Sequence, residues 1–212
     1  MDTKKLHSLF ASSAGVSIDT RRISKDEIYF SLKGDNFDGN KFALEAIKQG
    51  AKFSVVDDIK LKNENDKIIY VEDTLKSLQE LSNYHRSLFD TKVIGITGSN
   101  GKTTTKNLIY SILSQSYSVI KTKGNLNNHI GVPLSLLDIN DDVDIAVIEM
   151  GANHVGEIKT LCEIAMPDFG LITNYGYAHL EGFGGFEAVI EGKSEMFDYL
   201  TQNYGHIILN ND

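Results

Sequence analysis

A single cysteine, Cys162, excludes any intrachain disulfide and fits a reducing compartment. The amino-terminal run MDTKKLHSLF lacks the apolar core, roughly 7–15 residues long, of a secretory signal. No apolar stretch approaches the ~20 residues needed to span a bilayer. The cytoplasm is therefore the expected location. Positive charge is also in short supply: 21 Lys and Arg face 29 Asp and Glu, for a formal net charge of -8 and a pI near 5.2. That balance argues against a nucleic-acid-binding face, which needs a basic surface. It still permits a bound nucleotide where cations are concentrated locally or magnesium screens the phosphates. Internal repeats and low-complexity tracts are absent too. What remains is an ordinary globular composition, 41% hydrophobic and 24% charged, able to build a core without staples. At 212 residues the chain has room for one or two domains.

The chain reads as two halves. From residue 1 to 90, short apolar runs at Ile28–Leu32, Phe53–Val56 and Ile68–Val71 alternate with helical patterns. One pattern covers Lys41–Gln49 and stops at Gly50, a plausible C-cap. The other covers Thr74–Leu88, with Leu75, Leu78, Leu81 and Leu88 on one side. Phe89-Asp90-Thr91-Lys92 is taken as the boundary. The second half, 91–212, opens on the buried-strand run Val93–Thr97, followed by glycines and a helix marked by Leu108, Ile109, Ile112 and Leu113. Further strands are expected at Ile145–Met150, Phe169–Thr173 and His206–Leu209, with helices at Val155–Ile164 and Ala188–Leu200 between them. Such alternation predicts an α/β fold whose mostly parallel sheet is covered on both faces. The sequence stops directly after the last strand pattern, which suggests a piece of a longer protein.

The run TGSNGKTTT, Thr97 to Thr105, lies between the predicted strand and helix, the context a phosphate-binding loop requires. Gly98 and Gly101 allow a sharp turn and bring backbone N–H groups close to phosphate oxygens. Ser99 and Asn100 complete the loop, and the helix N-terminus adds partial positive charge. Lys102 is placed to reach the outer phosphates, and the Thr103 hydroxyl suits a magnesium ion. Thr104 and Thr105 support the nucleotide or simply pack. Ile96 occupies the position where the longer phosphate-loop pattern has glycine, so the match is to the shorter G-x-x-G-K-T form.

Open α/β sheets bind ligands beyond the carboxyl ends of their strands. Glu149 sits at such an end, just before the turn Met150-Gly151-Ala152-Asn153-His154, as a candidate magnesium ligand or a solvated strand-end carboxylate. His179 follows the next strand in a loop freed by Gly182, Gly184 and Gly185. It is either a metal ligand or an exposed loop histidine. Lys193, taken alone, reads as a surface lysine.

The runs ITGSNGKTTTK, KGNLNNHIGVPLSLL, VIEMGANHVGEI and AHLEGFGGFEAVIEGKSEMF resemble, in this order, the ATP-binding central domain of the Mur ligase family of bacterial cell-wall synthesis. In the first half, SIDTRR and EIYFSLKGDNFDGNKFALEAIKQGA are similar to the family's uridine-nucleotide domain. The resemblance thus covers nearly the whole chain. It implies a small N-terminal α/β uridine-nucleotide-binding domain (1–90) followed by an incomplete P-loop ATP-binding domain (91–212), without the family's C-terminal domain. It implies that Lys102 and Thr103 hold ATP and magnesium, that Glu149 ligates magnesium, and that His179 ligates a second one. It also implies that Lys193 is the lysine family members carry as a carbamate, an anionic oxygen ligand where an ammonium would be repelled. Asn127, Asn128 and Asn153 match motifs lining the substrate and nucleotide cleft. Ser17, Asp19, Thr20 and Arg21 match the loop touching uracil and diphosphate, with Asp38 and Gly39 in a second loop. Thr20 stands where serine is frequent, and Asp26 where glycine is common.

Gly151-Ala152-Asn153-His154 and His179-Leu180-Glu181-Gly182-Phe183-Gly184 resemble the dipeptide-adding members most. The implied reaction is ATP-dependent ligation of D-alanyl-D-alanine to UDP-N-acetylmuramoyl-tripeptide through an acyl phosphate, by a monomer. The alternatives are a family member adding a diamino acid or a single amino acid, and a nucleotide-binding module without catalysis. The 212-residue piece by itself is expected to be inactive as a ligase.

Overall fold

The computed structural model describes residues 1–177 and 180–210. The chain divides into two compact units, residues 1–84 and 85–212.

The first unit begins with helix α1 (Thr3–Ala11), whose Leu6 and Phe10 are buried. Strands β1 (Val16–Ser17) and β2 (Ile28–Phe30) follow, then the hairpin β3 (Lys33–Gly34) and β4 (Phe37–Asp38). Helix α2 (Ala43–Lys48), β5 (Phe53–Val56), β6 (Ile68–Tyr70) and α3 (Thr74–Arg86) complete it. The sheet order is β1-β2-β5-β6, every pair parallel. Residues of β2 are buried throughout, as a central parallel strand requires. Ala43 and Ala46 of α2 pack on Tyr29, Val56 and Ile68, small residues that let the helix lie close to the strands. Gly50, with φ +114°, follows the α2 C-cap in the conformation that favours glycine. Leu78 and Leu81 of α3 are fully buried, but Leu88, expected on the same face, lies beyond the helix end and is half exposed.

The second unit contains β7 (Lys92–Thr97), α4 (Lys102–Leu113), β8 (Val119–Lys121), α5 (Gly131–Leu136) and β9 (Ile145–Glu149). It continues through α6 (Glu157–Ala165), β10 (Phe169–Ile172), α7 (Leu180–Phe183), α8 (Phe186–Gln202) and β11 (His206–Ile208). Its five strands run parallel in the order β11-β10-β7-β9-β8. The first strand, β7, lies at the centre, so the chain winds outward in both directions from it. A crevice at the carboxyl end of β7 follows from that topology.

One large core joins Val93, Ala146 and Ile148 of the sheet to Leu136 of α5, Ile158, Leu161 and Cys162 of α6, and Val189, Met196 and Leu200 of α8. Helix α4 packs over β7, β8 and β9. Its apolar residues split between two faces: Ile109 and Leu113 are partly buried, whereas Leu108 is 60% and Ile112 66% exposed. The only fully buried residue of α4 is Lys106. His85 and Arg86, the last residues of α3, belong with this unit. His85 Nε2 bonds the Ile139 carbonyl at 2.8 Å, and Arg86 pairs with Asp168 at 2.9 Å. Among the described residues, no helix is long and apolar enough to cross a membrane.

Candidate active site

The loop from Gly98 to Gly101 leaves the carboxyl end of β7 and enters α4. Gly98 has φ +139°, and a Cβ there would lie 2.0 Å from Thr173 Oγ1, so no other residue fits without moving its neighbour. Gly101, with φ +78°, is the N-cap of α4 and supplies no side-chain cap. The first-turn N–H groups of α4 have no intrahelical partner and no capping side chain, the arrangement that receives an anion. The loop is buttressed from the end of β10. The Asn174 carbonyl accepts from Ser99 N (3.0 Å), Asn174 Oδ1 accepts from Asn100 N (3.0 Å), and Thr173 Oγ1 donates to the Asn100 carbonyl (2.6 Å). The Ser99 hydroxyl joins Gly176 through its N–H at 2.9 Å.

Lys102 folds back over this loop and donates to the Gly98 carbonyl at 2.8 Å. Burial pulls its pKa below the ordinary lysine value, with the Glu149 carboxylate opposing that shift. Thr103 Oγ1 donates to Glu149 Oε2 at 3.0 Å, and Asn127 Nδ2 donates to Glu149 Oε1 at 2.9 Å. Lys106 Nζ also reaches Glu149 Oε2, at 3.0 Å. Burial works to raise the Glu149 pKa, but these donors together hold it below the usual glutamate value. The strand-end carboxylate is thus a buried, fully bonded group rather than a solvated one.

This donor set fits magnesium: a hydroxyl and a carboxylate oxygen side by side, opening onto a cleft of about 360 Å³ that Ser99, Gly101, Lys102 and Thr104 also line. Magnesium is held by few protein oxygens when phosphate oxygens complete its shell. Among the described residues no group of three His, Cys, Asp or Glu side chains exists that could hold a metal without such help.

A second cleft of about 520 Å³ shares Lys102 and Asn127 with the first and is lined further by Asn128, Gly151, Asn153 and Glu157. Asn128 Oδ1 accepts from Gly131 N (2.9 Å) and so starts α5. Glu157 Oε2 accepts from Asn153 N (2.6 Å) and His154 N (3.2 Å), which shapes the turn after β9. Glu195 of α8 reaches across to the start of α6, accepting from Gly156 N and Lys159 N.

Lys193, on α8, is not a surface residue: it is 2% exposed, with its ammonium 5.3 Å from the centre of the Phe183 ring. Burial first, and repulsion from Lys102 second, lower its pKa to about 8. His179 lies outside the described residues.

In the first unit, the two candidate loops each carry a carboxylate that acts on Tyr29 of β2. Asp19 caps the 3-10 turn Thr20–Arg22 by accepting from Arg21 N (3.0 Å), and it pairs with the exposed Arg21 guanidinium through both oxygens. Those bonds draw its pKa down to about 2. Ser17 Oγ accepts from Asp19 N at 3.3 Å. Asp38 caps the next 3-10 turn through Asn40 N (3.1 Å), and Gly39 packs so closely that a Cβ would meet the Leu32 carbonyl oxygen at 2.6 Å. The Tyr29 hydroxyl donates to the Gly39 carbonyl at 3.1 Å, and its pKa is pushed up to about 12 by burial first and by Asp19 and Asp38 next.

Sequence reasoning named Lys102, Thr103 and Glu149 for ATP and magnesium and Asn127 for the substrate cleft; the fold places Thr103 and Asn127 on the same Glu149 carboxylate, and three further contributors were passed over. Asn174 and Thr173 carry the phosphate loop from 73 or more residues away. Lys106 was visible only as the residue one helical turn beyond Lys102.

Comparison with known proteins follows this geometry. Residues 96–212 match the family described as "Mur ligase middle domain", and residues 13–86 match "Mur ligase family, catalytic domain". The UDP-N-acetylmuramoyl-tripeptide–D-alanyl-D-alanine ligase of Bacillus subtilis (strain 168) is 42% identical over 191 residues, which are 89% of this chain and 42% of that protein. Among solved structures, MurF from Acinetobacter baumannii superposes with a TM-score of 0.82 at 33% identity, covering 93% of this chain and 46% of that one. MurF ligase from Thermotoga maritima, solved in complex with ADP, gives 0.80 at 36% identity, covering 88% and 43%. The chain therefore spans less than half the length of the relatives it matches. With more than half its residues matching the middle-domain family, the chain belongs to the Mur ligase family.

Proposed function

We propose that this chain supplies the UDP-muramoyl-peptide-binding and ATP-binding parts of a ligase that joins D-alanyl-D-alanine to UDP-N-acetylmuramoyl-tripeptide in cytoplasmic peptidoglycan precursor synthesis. The observation that carries the reading is the contact between Thr103 Oγ1 and Glu149 Oε2, 3.0 Å, beside Lys102 and the uncapped start of α4. Three groups suited to a metal–triphosphate complex meet there from two strand ends. The names of the relatives support the choice of substrates.

In the reaction, the terminal phosphoryl group of ATP passes to the tripeptide carboxylate, forming a C–O–P linkage as the bond to ADP breaks. The dipeptide amine then forms the C–N bond, phosphate leaves with the electron pair, and the amine gives up a proton. The loop N–H groups and Lys102 hold the outer phosphates in line and meet the charge that develops on them. Thr103 and Glu149 would hold one magnesium ion, and His179 with a carbamylated Lys193 would hold a second; the ions would supply neutralisation of phosphate charge. Carbon dioxide adds only to a neutral amine, and a Lys193 pKa of about 8 leaves a useful neutral fraction near physiological pH. The resulting carbamate turns repulsion from Lys102 into attraction. Asn127, Asn128 and Asn153 line the cleft for the peptide end. Ser17, Asp19, Thr20, Arg21, Asp38 and Gly39 receive the uridine diphosphate, with the exposed Arg21 guanidinium exchanging part of its pairing with Asp19 for the diphosphate.

Lys102→Ala in the full-length enzyme is expected to abolish ATP turnover while circular dichroism and melting temperature stay as in wild type. Wild-type turnover in that variant contradicts the role. Assay of the full-length enzyme with D-alanyl-D-alanine against single amino acids and diamino acids tests the amine substrate. Calorimetric titration with UDP-muramoyl-tripeptide separates a ligase from a regulatory nucleotide-binding module, which has no need of that ligand.

A further inference from the structure

We propose that Lys106 is an internal cation that occupies Glu149 while metal is absent, so that magnesium enters only together with the triphosphate. The inference rests on the phosphate-loop reading above and adds a coupling between metal and nucleotide. Lys106 is 2% exposed, and a lysine is almost never that buried unless paired. Its anionic partner among the described residues is Glu149, which is equally buried. A carbonyl oxygen, that of Gly124, lies at 3.4 Å.

The carboxylate has no idle oxygen. Oε1 accepts from Asn127, and Oε2 accepts from both Thr103 and Lys106. A divalent ion approaching Thr103 and Oε2 must therefore share that oxygen with an ammonium it repels. Lys102 and Lys106 lie one turn apart on α4; Lys106 pairs with Glu149, and Lys102 lines the same cleft as that carboxylate. Two cations around one anion leave the pocket positive. Adding magnesium alone makes that imbalance worse, and among the described residues no group of three His, Cys, Asp or Glu side chains gathers to hold the ion. The several negative charges of a triphosphate reverse the balance. Metal and nucleotide thus favour each other's binding, and the coupling must be reciprocal. Phosphate oxygens in the metal's shell couple the two ligands in any case; what separates the inference from a staple that merely fastened α4 to β9 is the nucleotide-free metal affinity, which such a staple would leave unchanged when its charge is removed.

Manganese serves as the probe, with free ion measured by electron paramagnetic resonance, in the presence and absence of a non-hydrolysable ATP analogue. Wild type is expected to bind manganese at least about tenfold more tightly with the analogue than without it. Lys106→Met keeps an unbranched apolar stem as far as Cε and removes the charged ammonium. It is expected to raise nucleotide-free manganese affinity about tenfold and to shrink the coupling, while Lys106→Arg stays near wild type. Unchanged or weaker nucleotide-free binding in Lys106→Met overturns the inference. Should that variant not fold, Lys106→Gln takes its place, and unchanged or weaker nucleotide-free manganese binding there overturns the inference equally. Failure of wild type to bind the analogue at all, with manganese present, overturns the phosphate-loop reading itself, and the role of Lys106 falls with it.

Discussion

Asp26 shows how one residue carries a backbone requirement. Its φ is +67°, in the left-handed region, and its N–H donates to the Gly50 carbonyl at 2.9 Å while its own carbonyl accepts from Ala14 N at 2.9 Å. The resemblance places glycine at this position in other family members, and the dihedral supplies the reason: a Cβ is strained there, and aspartate tolerates it better than most. Asp26→Ala is expected to destabilise the first unit by about 1 kcal/mol in urea unfolding, whereas Asp26→Gly is neutral or stabilising. A larger loss for glycine than for alanine contradicts this account. Lys193 makes a related point about context. Nothing near it in sequence marks it as buried, because its surroundings come from α7 and the phosphate loop.

Helix α4 separates spacing from burial. Leu108 and Ile112 recur at helix intervals, yet both project from the sheet, while Lys106 points into it. Periodicity reveals which residues share a face and not what that face meets. Ile112→Lys is therefore expected to change unfolding free energy by no more than about 0.5 kcal/mol, the range of ordinary surface substitutions. Leu136→Ala, in the large core under α5, is expected to cost about 2–5 kcal/mol. Comparable losses for both would place the α4 face in the core after all. The small elements β1, β8 and α5 escaped sequence reading for another reason. Two or three residues carry no period, and α5 contains Pro133 and begins at Gly131.

At the scale of the whole molecule, titration sets the pH limits of stability. Asp19, Asp38, Asp57, Glu149 and Glu157 all have folded pKa values below their ordinary ones, Asp19 at about 2. A depressed carboxylate contributes stability above its unfolded pKa, about 4, and that contribution is lost as pH falls through the folded value. Lys193 acts at the other end. Between about 8 and its unfolded value near 10.4 the unfolded chain binds more protons, so this residue makes stability rise with pH there. Urea unfolding is expected to show stability declining steadily from pH 4 to pH 2. A flat profile across that range contradicts the assignment. Cys162 offers an independent probe of the second unit: it is the sole thiol, fully buried, with its pKa pushed up to about 12. Alkylation is expected only as that unit opens, with a rate that follows its unfolding in denaturant. Rapid labelling of the native protein excludes this packing.

The stretch from Val93 to Thr105 was legible in advance because strand, glycines and helix start are neighbours in the chain, and each signal is local. The strands Phe53–Val56 and Ile145–Glu149 were equally plain as apolar runs. Long-range partners were not readable in that way. That Thr173 and Asn174 lie under the phosphate loop depends on β10 pairing with β7, and that Lys106 meets Glu149 depends on α4 crossing β9. Residue type and spacing state which groups can bind phosphate or metal. Sheet order, which emerges only when distant strands pair, settles which of those groups share an oxygen.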